Sequence, residues 1–428
     1  MFKKILFTAA IFLLAFGFAD LLMAQHQSQL FIASGGAFSD PNDFVEISAY
    51  DPLQQENGTV NTIFTQAVQD LINVDDYLYV TATDSLVKID RNTNQKVASA
   101  GVSGANLLVP HQENILMSVQ YPETSDFLRV FDRNTLELQH TVSGISGETA
   151  GMLVLNDLLY VAVPGAYGST TGSLALIDPI DYELIQEINL GSEAKGIYNL
   201  FVFGEKVLCV SKSAYGETSG TLSVFDPQTQ TAEHHSFNHA LGKAVYLDGN
   251  HLYLLVDNGL GLIDLSTMSM VAPQIIPDPG SANYIYFADI VYDSLHQQFY
   301  ATTTDYFSFG QGTIYGKDGL QKGNFDAGIS AEALTVVMRE ITSLTDNNQV
   351  EVNVFPNPFT DQLYIALPAP EHLASCKLFT LSGKLVYEHQ SAGVSSEILQ
   401  LPELNAGLYL LSVLTDSGKL LHKKILRK

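Results

Sequence analysis

Short apolar runs recur along most of this chain, each cut off by a polar pair or a glycine. Tyr77-Leu78-Tyr79-Val80 is rich in aromatic and β-branched residues, and Thr83-Asp84 then breaks the run. Leu86-Val87-Lys88-Ile89 alternates apolar with polar and stops at Asp90. A period of two over so few residues predicts strands. Asp90 and Thr93 predict the turn that follows, because a short side-chain oxygen accepts hydrogen bonds from backbone amides two or three residues on.

The second strand and its turn come back as Phe127 to Thr135, Ser173 to Asp181, Thr221 to Thr229 and Leu260 to Thr267. A looser copy, Val45 to Pro52, precedes them, and a degenerate one, Gly312 to Gly319, closes the series. The turn aspartates are Asp51, Asp90, Asp132, Asp178, Asp226, Asp264 and Asp318, at spacings of 39, 42, 46, 48, 38 and 54. All-strand units of about forty residues predict a seven-bladed β-propeller, in which neighbouring sheets bury each other's faces and ring closure leaves no open pair. A two-sheet solenoid or sandwich is the alternative. The first unit starts directly in Leu30-Phe31-Ile32-Ala33-Ser34 and lacks an inner strand. Ala331 to Val337 resembles the inner strands elsewhere, such as Gln69 to Val74, so the end of the domain is expected to complete its beginning.

The pattern changes at Met338. Residues 338–350 read as a linker, and residues 351–428 as a small β-sandwich: Leu363 to Leu367, Cys376 to Phe379, Leu385 to Tyr387, Ala406 to Val413 and Lys419 to Leu426, with a hairpin turn at Ser382-Gly383-Lys384. Residues 1–24 read as a secretory signal. Lys3 and Lys4 precede the apolar run Ile5 to Phe18, and Ala24 precedes a plausible cut. That run is short for a span, and no other segment suits a bilayer, so an integral membrane protein is not expected. The domains expected are therefore a signal (1–24), a propeller (25–337), a linker (338–350) and a sandwich (351–428).

Charge is unevenly spread. The chain has 46 acidic and 21 basic side chains, a net −25, yet residues 351–428 are balanced. The whole of the excess lies on residues 25–350, a surface that repels nucleic acid and anionic membranes. Cys209 and Cys376 fall in different predicted domains and read as buried thiols. Tryptophan is absent, which disfavours tryptophan-dependent propeller types.

The C-terminal segment carries Phe355-Pro356-Asn357-Pro358, Leu381-Ser382-Gly383-Lys384, Ala406-Gly407-Leu408-Tyr409 and the basic end Lys423-Lys424-Ile425-Leu426. In that order and spacing they resemble the C-terminal sorting domain of the type IX secretion system of Bacteroidetes. The motif positions are Pro356, Asn357, Pro358, Gly383, Lys384, Gly407 and Tyr409. The resemblance implies the type IX machinery as a partner, export to the medium or outer surface, and removal of the domain near the linker. The propeller resembles the YncE-like, YVTN-type surface propellers. That family includes ligand binders, some of which capture cobalamin, so the fold alone leaves activity open.

Propellers commonly bind at the face carrying the loops between second and third strands and the crossovers between blades. Here those loops hold two near copies, Ala166 to Gly172 and Ala214 to Gly220, beside Gly35 to Asp40, Gln120 to Pro122 and Asp305 to Gly310. They present Phe38, Tyr121, Tyr167, Tyr215, Tyr306 and Phe307 among small polar residues, which suits a small molecule, a glycan or a protein partner; packing along blade seams is the alternative. Lys195 and Lys243 occupy similar positions in two crossovers and are candidates for holding an anionic group.

Metal chemistry has little support. His234, His235 and His239 lie on strand and loop, where their spacing does not converge. Asp40, Asn42, Asp43 and Glu46 lack the spacing of a calcium loop. No metal, cofactor or catalytic residue is expected, and the inner-strand segments read as mostly apolar. A secreted or surface-held, non-enzymatic binding protein is the first reading. A propeller-type lyase or metal-dependent lactonase, or a cobalamin-type capture protein, is the other.

Overall fold

The computed structural model describes residues 25–37, 39–341, 352–380, 384–401, 404–416 and 420–428. His26–Arg339 forms one compact unit, and Glu340–Lys428 belongs to another.

The unit that organised the sequence pattern is an antiparallel hairpin. Tyr77–Ala82 pairs with Ser85–Asp90, Tyr77 opposite Asp90 and Ala82 opposite Ser85. Val68–Val74 lies on its inner side and Gln95–Gly101 on its outer side, giving a four-stranded sheet. Six more such sheets follow this plan among the described residues of the larger unit. Their second and third strands are almost wholly buried, as Ser173–Ile177 shows along its full length. Both faces of each sheet must therefore be covered, and the neighbouring blades cover them.

The apolar clusters show how. One joins blades two, three and four, through Leu86, Leu128 and Leu159. Others join four to five, through Tyr160 and Phe225; five to six, through Val210 and Leu252; and six to seven, through Tyr253 and Phe299. Leu30, Ile32 and Tyr50 of blade one pack on Tyr300 and Phe325 of blade seven, and blade one also packs on blade two. The ring is closed: this is a seven-bladed β-propeller. Its closing strand is Ala331–Ile341, which occupies the inner position of blade one beside Gln25–Ser34. That strand runs past Val337 into residues the sequence had assigned to a linker, and Gln25–Ser34 begins five residues before the expected strand Leu30 to Ser34.

All seven turn aspartates cap as expected. Asp90 Oδ1 accepts from the amides of Asn92 and Thr93, Asp132 Oδ1 from Asn134 and Thr135, and the degenerate Asp318 from Leu320. Six turns then place a non-glycine residue at positive φ, four positions after the aspartate: Gln55, Asn94, Leu136, Tyr182, Gln230 and Met268. That conformation costs roughly 1 kcal/mol. At Leu136 and Tyr182 burial in the blade-two to blade-four cluster offsets it.

The smaller unit is a sandwich. Asn353–Phe355, Gln362–Ala366 and Ser396–Gln400 form one sheet. Leu385–Val394, Leu373–Thr380, Gly407–Thr415 and Leu420–Arg427 form the other. Phe359, Leu363, Cys376, Leu411 and Ile425 fill the space between. Cys209 and Cys376 are both buried free thiols.

Candidate functional site: the propeller hub and its loop-bearing face

Neighbouring strands in each blade run antiparallel. The loops between second and third strands and the blade crossovers therefore leave from the same end of the ring. In the near-copy loops, Ser169 N donates to Ala166 O at 2.9 Å and Glu217 N donates to Ala214 O at 3.0 Å. Gly168 and Gly216 hold φ of 89° and 83° at the third position. Each is a type II turn, where that position needs glycine and the second is thrust outward. The second residues are Tyr167 and Tyr215, with relative exposures of 107% and 102%. Tyr121 (80%), Phe307 (63%) and Tyr306 (45%) are also exposed. Tyr306 is the most covered of these rings and lies near Glu332 of the closing strand. Phe38 lies outside the described residues.

The Tyr215 turn is tied down. Glu217 accepts from Ala214 N at 2.9 Å and from Lys195 Nζ at 2.7 Å, which fastens the loop to the crossover entering blade five. Beside it lies a cleft of about 470 Å³, lined by Ser192, Glu193 and Lys195 from the crossover and by Ser211 to Ser213 and Gly216 to Thr221 from blade five. Its walls are hydroxyls, backbone and four charged side chains.

Below this face, hydrogen bonds at the hub close every seam. Ala67 N donates to Gly35 O (blade two to one, 3.0 Å), Leu108 N to Asp70 Oδ2 (three to two, 2.7 Å) and Asn106 Nδ2 to Thr149 O (three to four, 2.9 Å). Gly151 N donates to Tyr198 O (four to five, 2.7 Å) and Ala244 N to Asn199 Oδ1 (six to five, 2.9 Å). Lys243 pairs with Asp289 (six to seven, 2.7 Å), and Leu334 N donates to Asp289 Oδ2 (one to seven, 2.9 Å).

Burial pushes the Asp70 carboxyl up to about 6, against the pull of its two amide donors and of Lys243. Burial would lower Lys243, but Asp289 outweighs it and raises the ammonium. Glu332, on the closing strand, is pushed by burial up to about 7.

These hub groups correct the reading of the inner strands as mostly apolar. Register breaks at Val68/Asp70, Ile197/Asn199, Leu241/Ala244 and Phe287/Asp289 turn single polar residues out of otherwise apolar strands. The two lysines are not at matched positions either. Lys195 follows a short 3-10 turn, Ser192–Ala194, outside the blade, whereas Lys243 lies within the inner strand Leu241–Asp248. Each is paired with its own carboxylate.

The remaining candidates are separate from one another. His234 meets Ser223, His235 lies 3.5 Å from Glu233, and His239 meets Asp257. Among the described residues no three such side chains converge as metal ligands. Asp43 accepts from Ala37 N and Asp40 from Asn42 N, both as loop fasteners. One Ser-His-Asp grouping does occur. Ser28 Oγ donates to Asp293 at 2.6 Å, and His296 Nδ1 lies 2.9 Å from Ser28 and 2.7 Å from Asp293. An activating base meets serine and carboxylate with different ring nitrogens. Here one nitrogen meets both, which makes a clasp between blades one and seven.

In the smaller unit, Asn357 Oδ1 accepts from Leu426 N at 2.8 Å, and Asn357 Nδ2 donates to Lys424 O at 3.2 Å. The turn holding Pro356 and Pro358 is thereby stitched to the final strand. Tyr409 Oη donates to Asn405 O at 2.7 Å, and Lys384 N donates to Thr380 Oγ1. Gly407 opens its strand at φ 153°. Gly383 lies outside the described residues.

Fold and motifs together define an exported propeller with a C-terminal sorting module. Residues 353–427 match the family model of the secretion system C-terminal sorting domain. The protein is therefore sent by the type IX system to the cell surface or the medium. No helix among the described residues is long and apolar enough to cross a membrane. No curated protein matches the chain in sequence. Among solved structures it is similar to a candidate 6-phosphogluconolactonase from Bacteroides fragilis, at 12% identity and TM-score 0.53, covering 73% of this chain and 98% of that one. PorZ, a surface component of the type IX secretion system of Porphyromonas gingivalis, matches at 15% identity and TM-score 0.46 over 94% of this chain. The extracellular domain of a candidate one-component system from B. thetaiotaomicron matches at 11% identity and TM-score 0.48 over 94% of this chain. This chain spans 58% of PorZ and 57% of the latter. At such identities the likeness is one of fold.

Proposed function

We propose that the propeller is a non-enzymatic binding module that takes a hydroxyl-rich ligand, a glycan in the first instance, on its loop-bearing face. One observation carries this reading: Tyr167 and Tyr215 stand fully exposed on twin type II turns. An exposed ring held on a rigid turn loses little freedom on binding and offers a flat apolar face to a sugar. The cleft beside Tyr215 supplies hydroxyls and backbone groups for the polar part of such a ligand. The hub carboxylates Asp70 and Asp289 are engaged by amides and by Lys243, which favours binding over hydrolysis. Tyr121, Tyr306 and Phe307 belong to the same face and extend it.

The wider assignment goes with this reading: a signal at 1–24, a YncE-like propeller, a linker at 338–350, and a source among the Bacteroidetes. The test is binding of the purified protein to an oligosaccharide array, repeated with Tyr167→Ala/Tyr215→Ala. Binding that disappears in the double variant, with the melting temperature unchanged, is the expected result. Binding that survives it would move the site off this face.

A further inference from the structure

The propeller is strongly acidic, and four of its lysines are paired with carboxylates. Lys195, Lys206, Lys243 and Lys317 each hold a carboxylate within 3.1 Å. Lys212 does not: no described carboxylate pairs with its ammonium, although it lines the cleft beside the Tyr215 turn. It directly follows the strand Lys206–Ser211, and its backbone amide donates to Gly196 O at 2.8 Å. A Cβ at Gly196, where φ is +71°, would stand 2.4 Å from Lys212 O. The crossover is thus pressed onto the base of this lysine. The ammonium lies 4.0 Å from the centroid of the Tyr198 ring, which fixes it from below. Burial and the nearby Lys243 both lower its hold on the proton, as expected of a cation left without an anion.

We propose that Lys212 binds the carboxylate of an acidic saccharide seated in this cleft; the inference rests on the reading of this face as a glycan site. The volume, about 470 Å³, lies in the range of ordinary ligand pockets, about 300–1,000 Å³. The Lys195–Glu217 pair is internally neutral and faces the same space. Glu193, which also lines the cleft, offers acceptors to sugar hydroxyls. One fixed cation among hydroxyls and a separate acceptor suits a ligand with one acid group and several hydroxyls. A polyanion would meet Glu193 and the acidic surroundings.

The test uses the full protein on oligosaccharides presented as matched pairs, each as its free carboxylate and as its neutral methyl ester, with inorganic phosphate as competitor. Wild type is expected to prefer the acid form by about tenfold, the weight of one charge-assisted hydrogen bond. Lys212→Met should abolish that preference while keeping the ester affinity, and Lys212→Arg should keep the preference. Equal binding of acid and ester by wild type, or an acid preference that survives Lys212→Met, overturns the inference and leaves the glycan reading standing. Displacement by phosphate at a concentration equal to that of the acid ligand would make the site a general anion site and also overturns it. Failure of both forms to bind overturns the inference together with the reading beneath it. An unchanged melting temperature in Lys212→Met excludes misfolding as the cause.

Discussion

The ammonium of Lys243 lies 2.7 Å from the carboxylate of Asp289, and this pair joins blade six to blade seven at the hub. The two sides differ in exposure: Lys243 is 37% exposed along its side chain and Asp289 only 4%. Asp289 also accepts from its neighbour's amide, Ile290 N, and from Leu334 N of the closing strand. One carboxylate thus links three blades, including the strand that shuts the ring.

Lys243→Met should destabilise the propeller by about 2 kcal/mol. Removing one partner of a buried pair costs about 3–5 kcal/mol, and the water-facing lysine reduces that. Urea unfolding monitored by tyrosine fluorescence would measure it. A loss under about 0.5 kcal/mol would show that the amides of Ile290 and Leu334 satisfy Asp289 without the lysine.

Stability should depend on pH in two directions. Asp70 and Glu332 have folded-state pKa values raised to about 6 and about 7. Their contribution is present when they are protonated, below the ordinary carboxylate range, and is lost as pH rises through those values. The turn aspartates Asp90, Asp132, Asp226 and Asp264 are shifted the other way, chiefly by hydrogen bonds from neighbouring amides and side chains. Their contribution is lost as pH falls through their lowered values. The melting temperature should therefore peak at about pH 4 and decline until about pH 7, where both raised carboxyls are ionised in the folded state as well. Asp70→Asn/Glu332→Gln should flatten the decline, and an unaltered slope would remove these two groups as its source.

The rim was legible in the sequence and the hub was not, for a physical reason. A turn of fixed geometry needs the same residue type in each blade, so aspartate recurs seven times and even the degenerate Asp318 caps its turn. Closure was legible because a missing inner strand leaves a gap that some other segment must fill. The hub seams need only one polar contact each, which different groups satisfy: Asp70, Asn106, Tyr198 O, Asn199, Lys243. Aspartate serves in blades two and seven and asparagine in blades three and five, but no one residue type recurs in every blade, so no repeat stands out in the sequence. Lys212 was missed because its pairing state depends on which carboxylates fold beside it.

Gly151→Ala should be among the most damaging single changes in the propeller. Its amide makes the blade-four to blade-five contact with Tyr198 O. An added Cβ would lie 2.4 Å from that oxygen, 3.1 Å from Leu200 N and 3.2 Å from Asn199 Cα, all backbone atoms that cannot swing aside. The seam must open, at a cost of about 1–3 kcal/mol for overpacking and about 1 kcal/mol more for the lost hydrogen bond. Gly204→Ala is the control, since it meets no atom and is strained only by its φ of +64°. Thermal unfolding of the two variants compares steric with conformational strain, and equal losses would refute the crowding account.

Asn357→Ala should lower export of the protein through its effect on the sorting module. The side chain accepts from Leu426 N and donates to Lys424 O, while Phe359 N donates to Leu426 O at 2.9 Å beside it. Alanine leaves the final strand attached to this turn by backbone contacts alone, a loss of about 1–2 kcal/mol for two hydrogen bonds at an exposed edge. Asn357→Asp keeps the acceptor for Leu426 N but loses the donor to Lys424 O, so it should fall between wild type and alanine. Cell fractionation would read the share of protein in the medium and on the surface against that retained inside. A graded order of Asn, Asp, Ala in exported protein supports the stitched strand as the feature the export step requires, whereas full export of the alanine variant would show that the turn and strand need no such tie.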